Sequence, residues 1–332
     1  MNAAPERVMV TGAGGFIGSH LVDDQLDRGR HVVATDVDVT ALRDHPAGDR
    51  LTAIRADLRA SDEMRSMLEG VDVVFHLAAA HLDVLKDASY YDEVNVTATR
   101  ELAAMAAAAG VRRFVHCSSV AVYGPLETLP ANEDTRCAPD IVYEKSKLDG
   151  ESAIRELASR VGLSTVILRP AWVYGPRCPR TRKLIRTIAR KRFFFVGEAA
   201  NLRHPIYITD VTDAFEKAAN CDVSGLPTLN IAGPQAVSLR ELVAVIANEV
   251  GVSNRMPTFP KPVVTAGCIA LETIAGLLKR EPPFSRRSLK FFTESSAFEI
   301  LRAREVLGFE PVTELRGGIR ATVDYYRSHA PL

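Results

Sequence analysis

The sequence predicts an α/β protein, with a doubly wound parallel sheet joined to a smaller, mostly helical lobe. Short apolar runs alternate with helical patterns between Arg7 and Leu168, an order typical of parallel strands connected by helical crossovers. After Pro170, prolines and arginines interrupt this alternation, and from Pro257 onward the pattern is mostly helical. The 332 residues are enough for one large domain or two tightly joined ones.

The elements follow in order from apolar periodicity and from boundary residues such as Gly29, which stands where a helix C-cap belongs. Apolar runs predict strands at Arg7–Thr11, His31–Asp36, Leu51–Ala56, Val71–Leu77, Arg113–Cys117 and Ser164–Leu168. Amphipathic patterns predict helices at Phe16–Arg28, Glu93–Ala109, Val142–Val161, Asp210–Ala219 and Ser238–Val250. Residues 206–208 resemble a return to the sheet. The expected domains are therefore residues 1–171 with 206–235, and residues 172–205 with 236–332.

Charge and cysteine content disfavour several classes of protein. Lysine plus arginine and aspartate plus glutamate both number 41, and a formal net charge of zero argues against a general nucleic-acid binder. The five cysteines are scattered without a CxxC pair, which disfavours disulfides and a structural metal site and suits a reducing cytoplasm. The most apolar stretch, Val263–Leu278, is short for a membrane span and carries Glu272, so we expect an amphipathic helix.

A glycine-rich turn follows the first strand and opens the first helix. Its sequence, TGAGGFIG at Thr11–Gly18, has the spacing GxxGxxG. Gly12 permits a tight turn, Gly15 lets the backbone approach a pyrophosphate, and Gly18 lets the helix pack closely on the strand. Free N–H groups at the helix N-terminus would bind the pyrophosphate of a dinucleotide. The alternative for such a turn is a purely structural loop.

Asp36 ends the second strand, 18 residues after Gly18, close to the spacing expected of a ribose-binding acid. A carboxylate there accepts hydrogen bonds from both ribose hydroxyls and repels a 2′-phosphate, and Asp38 adds to that repulsion. These acids favour NAD over NADP, although Asp36 could instead be a solvated loop residue. Asp57 and Leu58, after the next strand, could face the adenine.

Tyr143 and Lys147 are four residues apart on a predicted helix, so both side chains lie on one face. A tyrosine with its ordinary pKa of about 10 is a poor base. A nearby ammonium lowers that pKa, which makes the pair a candidate general acid/base. The pattern YxxxK is common on protein surfaces; its position here, after a dinucleotide-type turn and a strand ending in Ser118 and Ser119, favours a catalytic site.

The motifs together resemble the extended short-chain dehydrogenases/reductases, the group that contains NAD-dependent sugar epimerases and dehydratases and the 3β-hydroxysteroid dehydrogenases. Besides the glycine turn, the matching segments are FHLAA at Phe75–Ala79, NVTAT at Asn95–Thr99, SSVAVYG at Ser118–Gly124, YEKSK at Tyr143–Lys147, LRPAWVYGP at Leu168–Pro176 and LGFEP at Leu307–Pro311. This resemblance covers essentially the whole chain. It implies a Rossmann-type fold, NAD as the cofactor and pairing of two copies into a homodimer.

The resemblance also implies roles for individual residues. Ser119 would hydrogen-bond the reacting oxygen, Tyr143 would give or take the proton, and Lys147 would lower the tyrosine pKa and hold the nicotinamide ribose. Asn95 would support the site. The expected cofactor-binding residues are Gly12, Gly15, Phe16, Ile17, Gly18, Asp36, Asp57, Leu58, Leu77, Ala78, Ala79, Asn95, Tyr143, Lys147, Pro170 and Val173.

The substrate signals point in two directions. Arg203 stands where nucleotide-sugar members carry a diphosphate-binding arginine, and Arg287 lies near a second such place. Arginine suits a diphosphate because its planar donors match two oxygens, but both residues could be ordinary surface arginines. Trp172 stands where those members have an asparagine, and an indole would fill the space rather than hold a diphosphate. Residues 262–292 also resemble the 3β-hydroxysteroid dehydrogenases.

On these signals we expect a dehydrogenase or reductase acting on a secondary alcohol or ketone of a bulky, partly apolar, 3β-hydroxysteroid-like substrate. The alternative is an epimerase or dehydratase of nucleoside-diphosphate sugars that holds NAD tightly and forms a transient keto-sugar. A non-catalytic dinucleotide-binding protein is a remote alternative, because Ser119, Tyr143 and Lys147 are all present.

A basic stretch, Arg177–Arg192, contains eight lysines and arginines and no acid. Such a stretch is usually the solvated face of a packed helix. It could also bind an anionic substrate group or a partner, whereas nucleic acid is disfavoured because no recognition motif accompanies it.

Overall fold

The computed structural model describes residues 6–81, 87–223, 225–277 and 286–329. The strands of this part are β1 (Arg7–Thr11), β2 (His31–Asp36), β3 (Leu51–Arg55), β4 (Val73–His76), β5 (Arg113–Cys117), β6 (Thr165–Pro170), β7 (Trp172–Tyr174), β8 (Phe195–Val196), β9 (Leu202–Arg203), β10 (Pro205–Tyr207), β11 (Thr228–Ile231), β12 (Val237–Ser238) and β13 (Thr258–Phe259). Its α-helices are α1 (Phe16–Asp27), α2 (Ser61–Met67), α3 (Ala88–Asp92), α4 (Thr99–Ala108), α5 (Val142–Val161), α6 (Pro179–Ala189), α7 (Ile208–Asn220), α8 (Leu239–Val250), α9 (Lys261–Leu277), α10 (Arg286–Thr293), α11 (Leu301–Leu307) and α12 (Leu315–His329).

Seven strands form the central sheet in the order β11-β6-β5-β4-β1-β2-β3, and every neighbouring pair is parallel. The predicted doubly wound parallel sheet is therefore confirmed. The strand order reverses between β1 and β4, which lie side by side although β2 and β3 separate them along the chain. In such sheets a ligand binds outside the carboxyl ends of the strands, at this switch point.

The two faces of the sheet are covered by separate apolar cores. Val8 and Val10 of β1 pack into one core with α1 and α7, whereas Met9 between them packs into the other with α2, α4 and α5. This alternation follows from the two-residue period of a strand. A third core joins α6, α8 and α12, which form much of the second lobe.

Two elements differ from the sequence expectation. Residues 206–208 do not rejoin the central sheet, because β10 pairs with β7 in a separate two-stranded sheet. The chain returns instead through β11, which pairs with β6 at the sheet edge. The helix predicted over Glu93–Ala109 begins earlier, as α3, and passes through a π-helical segment at Glu93–Ala98 before α4.

The helix predicted over Val263–Leu278 is present as α9 up to Leu277, Leu278 lies outside the described residues, and the outward face of α9 is apolar. Val263, Ile269 and Ile274 are 60%, 49% and 54% exposed. None of the helices in the described part of the chain combines the length and apolarity that crossing a bilayer requires.

Candidate active site

A cavity of about 610 Å³ opens at the carboxyl ends of the central strands, where the strand order reverses. It extends from the glycine turn after β1 to the start of α6. The predicted residues that line it are Gly12, Gly15, Phe16, Ile17, Gly18, Asp36, Asp57, Leu58, Leu77, Ala78, Ala79, Ser119, Tyr143, Lys147, Pro170, Trp172 and Val173. Motifs that are far apart in the sequence therefore meet around one space.

The glycine turn packs so closely that side chains are excluded from it. Gly12 has a φ of +71°, and a Cβ added there would lie 2.6 Å from the backbone nitrogen of Ala78. A Cβ on Gly18 would lie 2.0 Å from the carbonyl oxygen of Gly12. Helix α1 begins directly after Gly15, which supplies no side-chain cap, so the first N–H groups can bind an anion.

The two acids of the turn region differ in their partners. Asp36 accepts hydrogen bonds from the N–H groups of Gly14 (3.0 Å) and Asp38 (3.1 Å), which fix its carboxylate at the cavity edge. The carboxylate of Asp57 pairs with Arg59 at 2.7 Å, and this side-chain hydrogen bond lowers the pKa of Asp57. Asp36 is thus held by backbone N–H groups, while Asp57 serves a local ion pair.

Lys147 is buried, and its ammonium group donates to the carbonyl oxygen of Cys117 at 2.7 Å. Burial lowers the pKa of Lys147 and raises the pKa of Tyr143 well above its ordinary value. The nearby Arg180 acts in the opposite direction and lowers the tyrosine pKa. The net shift is upward because desolvation of the phenolate outweighs the attraction of Arg180, and the lowering of the tyrosine pKa that the sequence predicted from Lys147 is not found.

Ser118 and Ser119 directly follow β5 and have different hydrogen-bond partners. The Oγ atom of Ser119 accepts the N–H of Ala121 at 3.1 Å, so its own O–H can be donated into the cavity. The hydroxyl of Ser118 donates instead to buried Glu151 at 2.5 Å. Arg169 binds that carboxylate through two hydrogen bonds, of 2.8 and 2.7 Å. Sequence reasoning missed this pair, although Glu151 lies one helical turn after Lys147.

Asn95 lies behind the cavity wall and is not among the residues that line it. Its side-chain amide accepts the N–H of Ala80 (2.7 Å) and donates to the carbonyl of Ala80 (3.1 Å) and to Ser146 (2.8 Å). It therefore joins the loop after β4 to α5. The backbone carbonyl oxygen of Asn95 also approaches Gly150 of α5. A Cβ added to Gly150 would lie 2.4 Å from that oxygen. This placement agrees with a supporting role and differs from the expected direct contact with the cofactor.

The two substrate residues differ in where their side chains lie. Trp172 lines the cavity and stacks on Tyr174, with ring centroids 6.1 Å apart. Arg203 is absent from the lining and donates to the carbonyl oxygens of Lys290 (3.0 Å) and Phe291. Burial lowers its pKa to about 10. The hydrogen-bond partners of Arg203 are thus backbone carbonyl groups of α10, and its guanidinium also lies over the Phe291 ring, 4.7 Å from the centroid.

The side chain of Arg287 lies outside the described part of the structure. Conversely, the cavity is lined by residues that sequence reasoning missed, among them His81 and Arg180. These two side chains hydrogen-bond to each other, and the His81 ring lies edge-on to Tyr143 at a centroid distance of 4.8 Å. The only sequence signal for Arg180 was the basic stretch itself.

Comparison with known proteins agrees with this geometry. The sequence profile of the NAD-dependent epimerase/dehydratase family matches residues 8–232. A UDP-glucose 4-epimerase of Mycolicibacterium smegmatis is 33% identical over 97% of this chain and 99% of its own length. The chain belongs to the NAD-dependent epimerase/dehydratase family. It is an NAD-dependent enzyme of the extended short-chain dehydrogenase/reductase group, as its motifs predicted.

Two further proteins similar to this chain are described with different ligands or substrates. The structure of MoeE5 in complex with UDP-glucuronic acid and NAD is 31% identical, covers 97% of this chain and 99% of that chain, and has a TM-score of 0.76. A 3beta-hydroxysteroid-dehydrogenase/decarboxylase (isoform 1) of Arabidopsis thaliana is 26% identical over 96% of this chain and 79% of its own length.

The cavity of this family member fits NAD. The turn at Gly12 and Gly18 leaves no room for a methyl group, and the adjoining start of α1 offers free N–H groups for a pyrophosphate. Asp36 lies where a ribose would follow. Tyr143, Lys147 and Pro170 line the same cavity. The cavity thus brings together an anion-binding helix start, a carboxylate and the predicted catalytic pair.

Proposed function

We propose that this enzyme epimerises a nucleoside-diphosphate sugar by oxidising one secondary hydroxyl group of the sugar and reducing the resulting ketone on its other face. The main observation in support of this reaction is that Ser119, Tyr143 and Lys147 line the same cavity as the glycine turn. The sugar substrate is supported by the relatives, since a UDP-glucose 4-epimerase and MoeE5 are both more than 30% identical to this chain.

In this mechanism Tyr143 accepts the proton of the reacting hydroxyl group. The O–H of Ser119, whose Oγ is fixed by the N–H of Ala121, donates a hydrogen bond to the same oxygen as negative charge develops there. NAD, when bound, supplies the hydride acceptor and a positive charge at the nicotinamide. The ammonium group of Lys147 is fixed by the carbonyl oxygen of Cys117, within the cavity lining to which Tyr143 also belongs.

We propose that the cofactor lies along the cavity lining. The pyrophosphate would lie on the turn of Gly12, Gly15 and Gly18, next to Phe16 and Ile17, and the ribose on Asp36. The adenine end would contact Asp57 and Leu58, and the nicotinamide end would lie near Pro170 and Val173. All of these residues face one continuous space, which supports the assignment. Residues 172–205 and 236–332 would then form the lobe that binds the sugar.

A dehydrogenase of a bulky, partly apolar alcohol is the second candidate. Two observations favour it: the Trp172 indole occupies the cavity wall, and Arg203 donates to backbone carbonyls of α10 rather than into the cavity. An apolar ring system could pack on the indole without any diphosphate contact. The 3β-hydroxysteroid-type relative of Arabidopsis thaliana is consistent with this reading.

Substrate assays separate the two candidates. The purified protein, loaded with NAD, is incubated with UDP-glucose, UDP-glucuronic acid and a 3β-hydroxysteroid, while NADH absorbance and sugar composition are followed. Interconversion of UDP-sugars without net NADH release supports the epimerase. NADH release in proportion to steroid oxidation, with no sugar interconversion, would overturn it in favour of the second candidate. Retained NAD binding with no turnover of any substrate would instead favour the non-catalytic alternative.

We also propose a homodimer that works in the cytoplasm. The cysteines within the described residues are all free thiols, which suits a reducing compartment. The pairing surface would be α4 and α5, which pack on each other and expose their outer faces. Light scattering in solution, which gives the mass of the particle directly, tests this proposal: a mass of one chain would exclude the dimer.

A further inference from the structure

A second cavity, of about 430 Å³, lies between α6 and the end of α12. It is formed largely by the basic stretch that the reaction does not use. Its lining includes the four cationic residues Arg177, Arg182, Lys183 and Arg186 and the aromatic residues Tyr325 and Tyr326. Among the described residues no carboxylate lines it. The cavity therefore concentrates positive charge at a concave surface, where the protein electrostatic potential is focused.

Three of these cations lack an acidic partner. Arg177 pairs with Asp23 at 2.6 Å, but Arg182, Lys183 and Arg186 make no ion pair with any carboxylate in the described part of the chain. Elsewhere the fold pairs its arginines readily, as at Arg169, which binds Glu151. The charges of the cavity are thus available to a ligand that comes from solution.

The arrangement opposes the stability of α6 itself. Arg182 and Arg186 are one helical turn apart, and like charges at that spacing repel each other. Arg182 and Lys183 follow the first turn of α6, which has no acidic residue although the helix dipole favours negative charge there, whereas Arg186 lies in the last turn, where the dipole favours a cation. Local helix stability does not account for such a pattern, whereas binding of an anion would relieve both unfavourable terms.

The aromatic wall of the cavity is held in place. The hydroxyl of Tyr326 donates to the carbonyl of Cys178 at 2.9 Å, and Arg182 lies over the Tyr326 ring, 5.8 Å from its centroid. Tyr325 stacks on His329 with ring centroids 4.4 Å apart. Fixed rings beside the guanidinium groups limit the loss of side-chain freedom when a ligand binds.

The second cavity is separate from the catalytic one, although the two are adjacent. Pro179 lines both, and it stands at the start of α6. The next residue, Arg180, faces the catalytic cavity, whereas Arg182, Lys183 and Arg186 face the second. A ligand could therefore occupy the second cavity while the dinucleotide occupies the first.

We infer that this second cavity binds a small molecule carrying two adjacent phosphate groups. Side chains three and four residues apart on a helix have Cβ atoms about 5–6 Å apart, a spacing that lets neighbouring cations bind neighbouring phosphates. The planar guanidinium group of an arginine can bind two phosphate oxygens at once. Here Arg182 and Arg186 lie on either side of Lys183 in the sequence. The site is additional to the one that performs the proposed reaction.

The test uses the NAD-saturated enzyme and inorganic pyrophosphate, titrated by calorimetry. The wild-type protein is expected to bind one pyrophosphate saturably, and the double variant R182Q/R186Q is expected to bind it at least tenfold more weakly. The matched control R190Q/R192Q removes the same charge from the basic stretch outside the cavity lining, and its affinity should match that of the wild type.

A further variant locates the bound pyrophosphate. R180Q removes a cation from the catalytic cavity, so the inference requires its affinity to stay within about twofold of the wild type, well under the 1.4 kcal/mol of a tenfold change. Loss of binding in R180Q with retention in R182Q/R186Q would place the pyrophosphate in the catalytic cavity and overturn the inference. Equal affinity in all variants, or no saturable binding, would overturn it as well. If R182Q/R186Q does not fold, the single variant K183Q, at an exposed position, should still weaken binding several-fold.

Discussion

The two walls of the catalytic cavity are built in different ways. The cofactor wall consists of backbone at the ends of paired parallel strands, where an added methyl group on Gly12 or Gly18 would overlap other backbone atoms. The substrate wall consists of side chains from β7 and α6, such as Trp172 and Arg180, that are half-buried or exposed. The first wall is rigid because backbone contacts define it, and the second can change with single substitutions.

Because of this difference, we expect the cofactor wall to determine the type of reaction and the substrate wall to determine the substrate. A backbone turn of this kind can serve any protein that binds the same dinucleotide. It therefore indicates the family but not the substrate. Under the proposed function, side chains on a peripheral helix, α6, would decide which molecule enters beside Tyr143, because function depends on such a site rather than on the fold. Variants on each wall test whether this division is real.

The largest effect is expected for Tyr143→Phe, at the junction of the two walls. Turnover should fall about a thousandfold, since the proton acceptor is removed while the ring remains. NAD affinity, measured by titration, should stay within about threefold. Because burial raises the pKa of Tyr143, wild-type oxidation should rise as the pH increases and phenolate forms, and the variant should lose this dependence.

The control for this variant is Tyr325→Phe, which removes a phenol oxygen outside the catalytic cavity and should leave turnover unchanged. Retention of more than a tenth of wild-type turnover in Tyr143→Phe would contradict the role given to the tyrosine.

A pair of glycine variants compares the packing of the cofactor wall with that of α12, a helix outside the catalytic cavity. Gly18→Ala should lower the free energy of unfolding by about 3 kcal/mol, because its Cβ would lie 2.0 Å from the Gly12 carbonyl oxygen. Gly317→Ala in α12 meets no atom within 4 Å and should raise it by about 0.5–1 kcal/mol through helix propensity. Denaturant unfolding of both variants measures the contrast, and similar changes in the two would refute it.

Asp36→Asn tests one charged group of the cofactor wall. The neutral amide cannot accept ribose hydrogen bonds as strongly as a carboxylate, so NAD affinity should fall about tenfold, or about 1.4 kcal/mol. Discrimination against NADP should weaken as well. Fluorescence titration with both dinucleotides gives these values. Asp38→Asn is the matched control, because that exposed carboxylate caps the N–H of Thr40; an equal loss of affinity there would remove the special role of Asp36.

The smallest effect is expected for Trp172→Asn on the substrate wall. If a nucleoside-diphosphate sugar is the substrate, kcat/KM for it should rise a few-fold, since an amide offers more hydrogen bonds than an indole. Trp172→Phe keeps an aromatic ring and should change this value less. A fall in turnover of a bulky apolar alcohol, without any gain for the sugar, would favour the second candidate substrate.

Sequence patterns predicted the cofactor wall well because its determinants are local. The turn at Thr11–Gly18 requires positive φ and close packing at fixed spacings, and only glycine satisfies both. The four-residue spacing of Tyr143 and Lys147 follows from helix geometry alone. In both cases the residues that matter lie close in the sequence: Gly12 and Gly18 are six positions apart, and Tyr143 and Lys147 are four apart.

The substrate wall was harder to predict because its determinants are far apart in the sequence. Arg203 donates to a carbonyl group 87 residues further along, and no local pattern shows where α10 will lie. The Arg180–His81 contact joins residues 99 apart. Likewise, the π-helical segment before α4 cannot be detected by looking for apolar residues with a period of 3.6 residues. One continuous helix was therefore expected there.

That π-helical segment makes chain length, rather than residue type, the sensitive property at Glu93–Ala98. In an α-helix each residue advances the side-chain direction by about 100°. Because a π-helical turn holds one residue more than an α-helical turn, deleting one residue inside the segment would let it close as regular helix with α3 and α4 still in phase, although the position of Asn95 against Ala80 would be lost. Deleting a residue outside the segment would instead rotate the helix that follows, and with it the face of α4 that packs on α5, whereas a substitution is absorbed one side chain at a time.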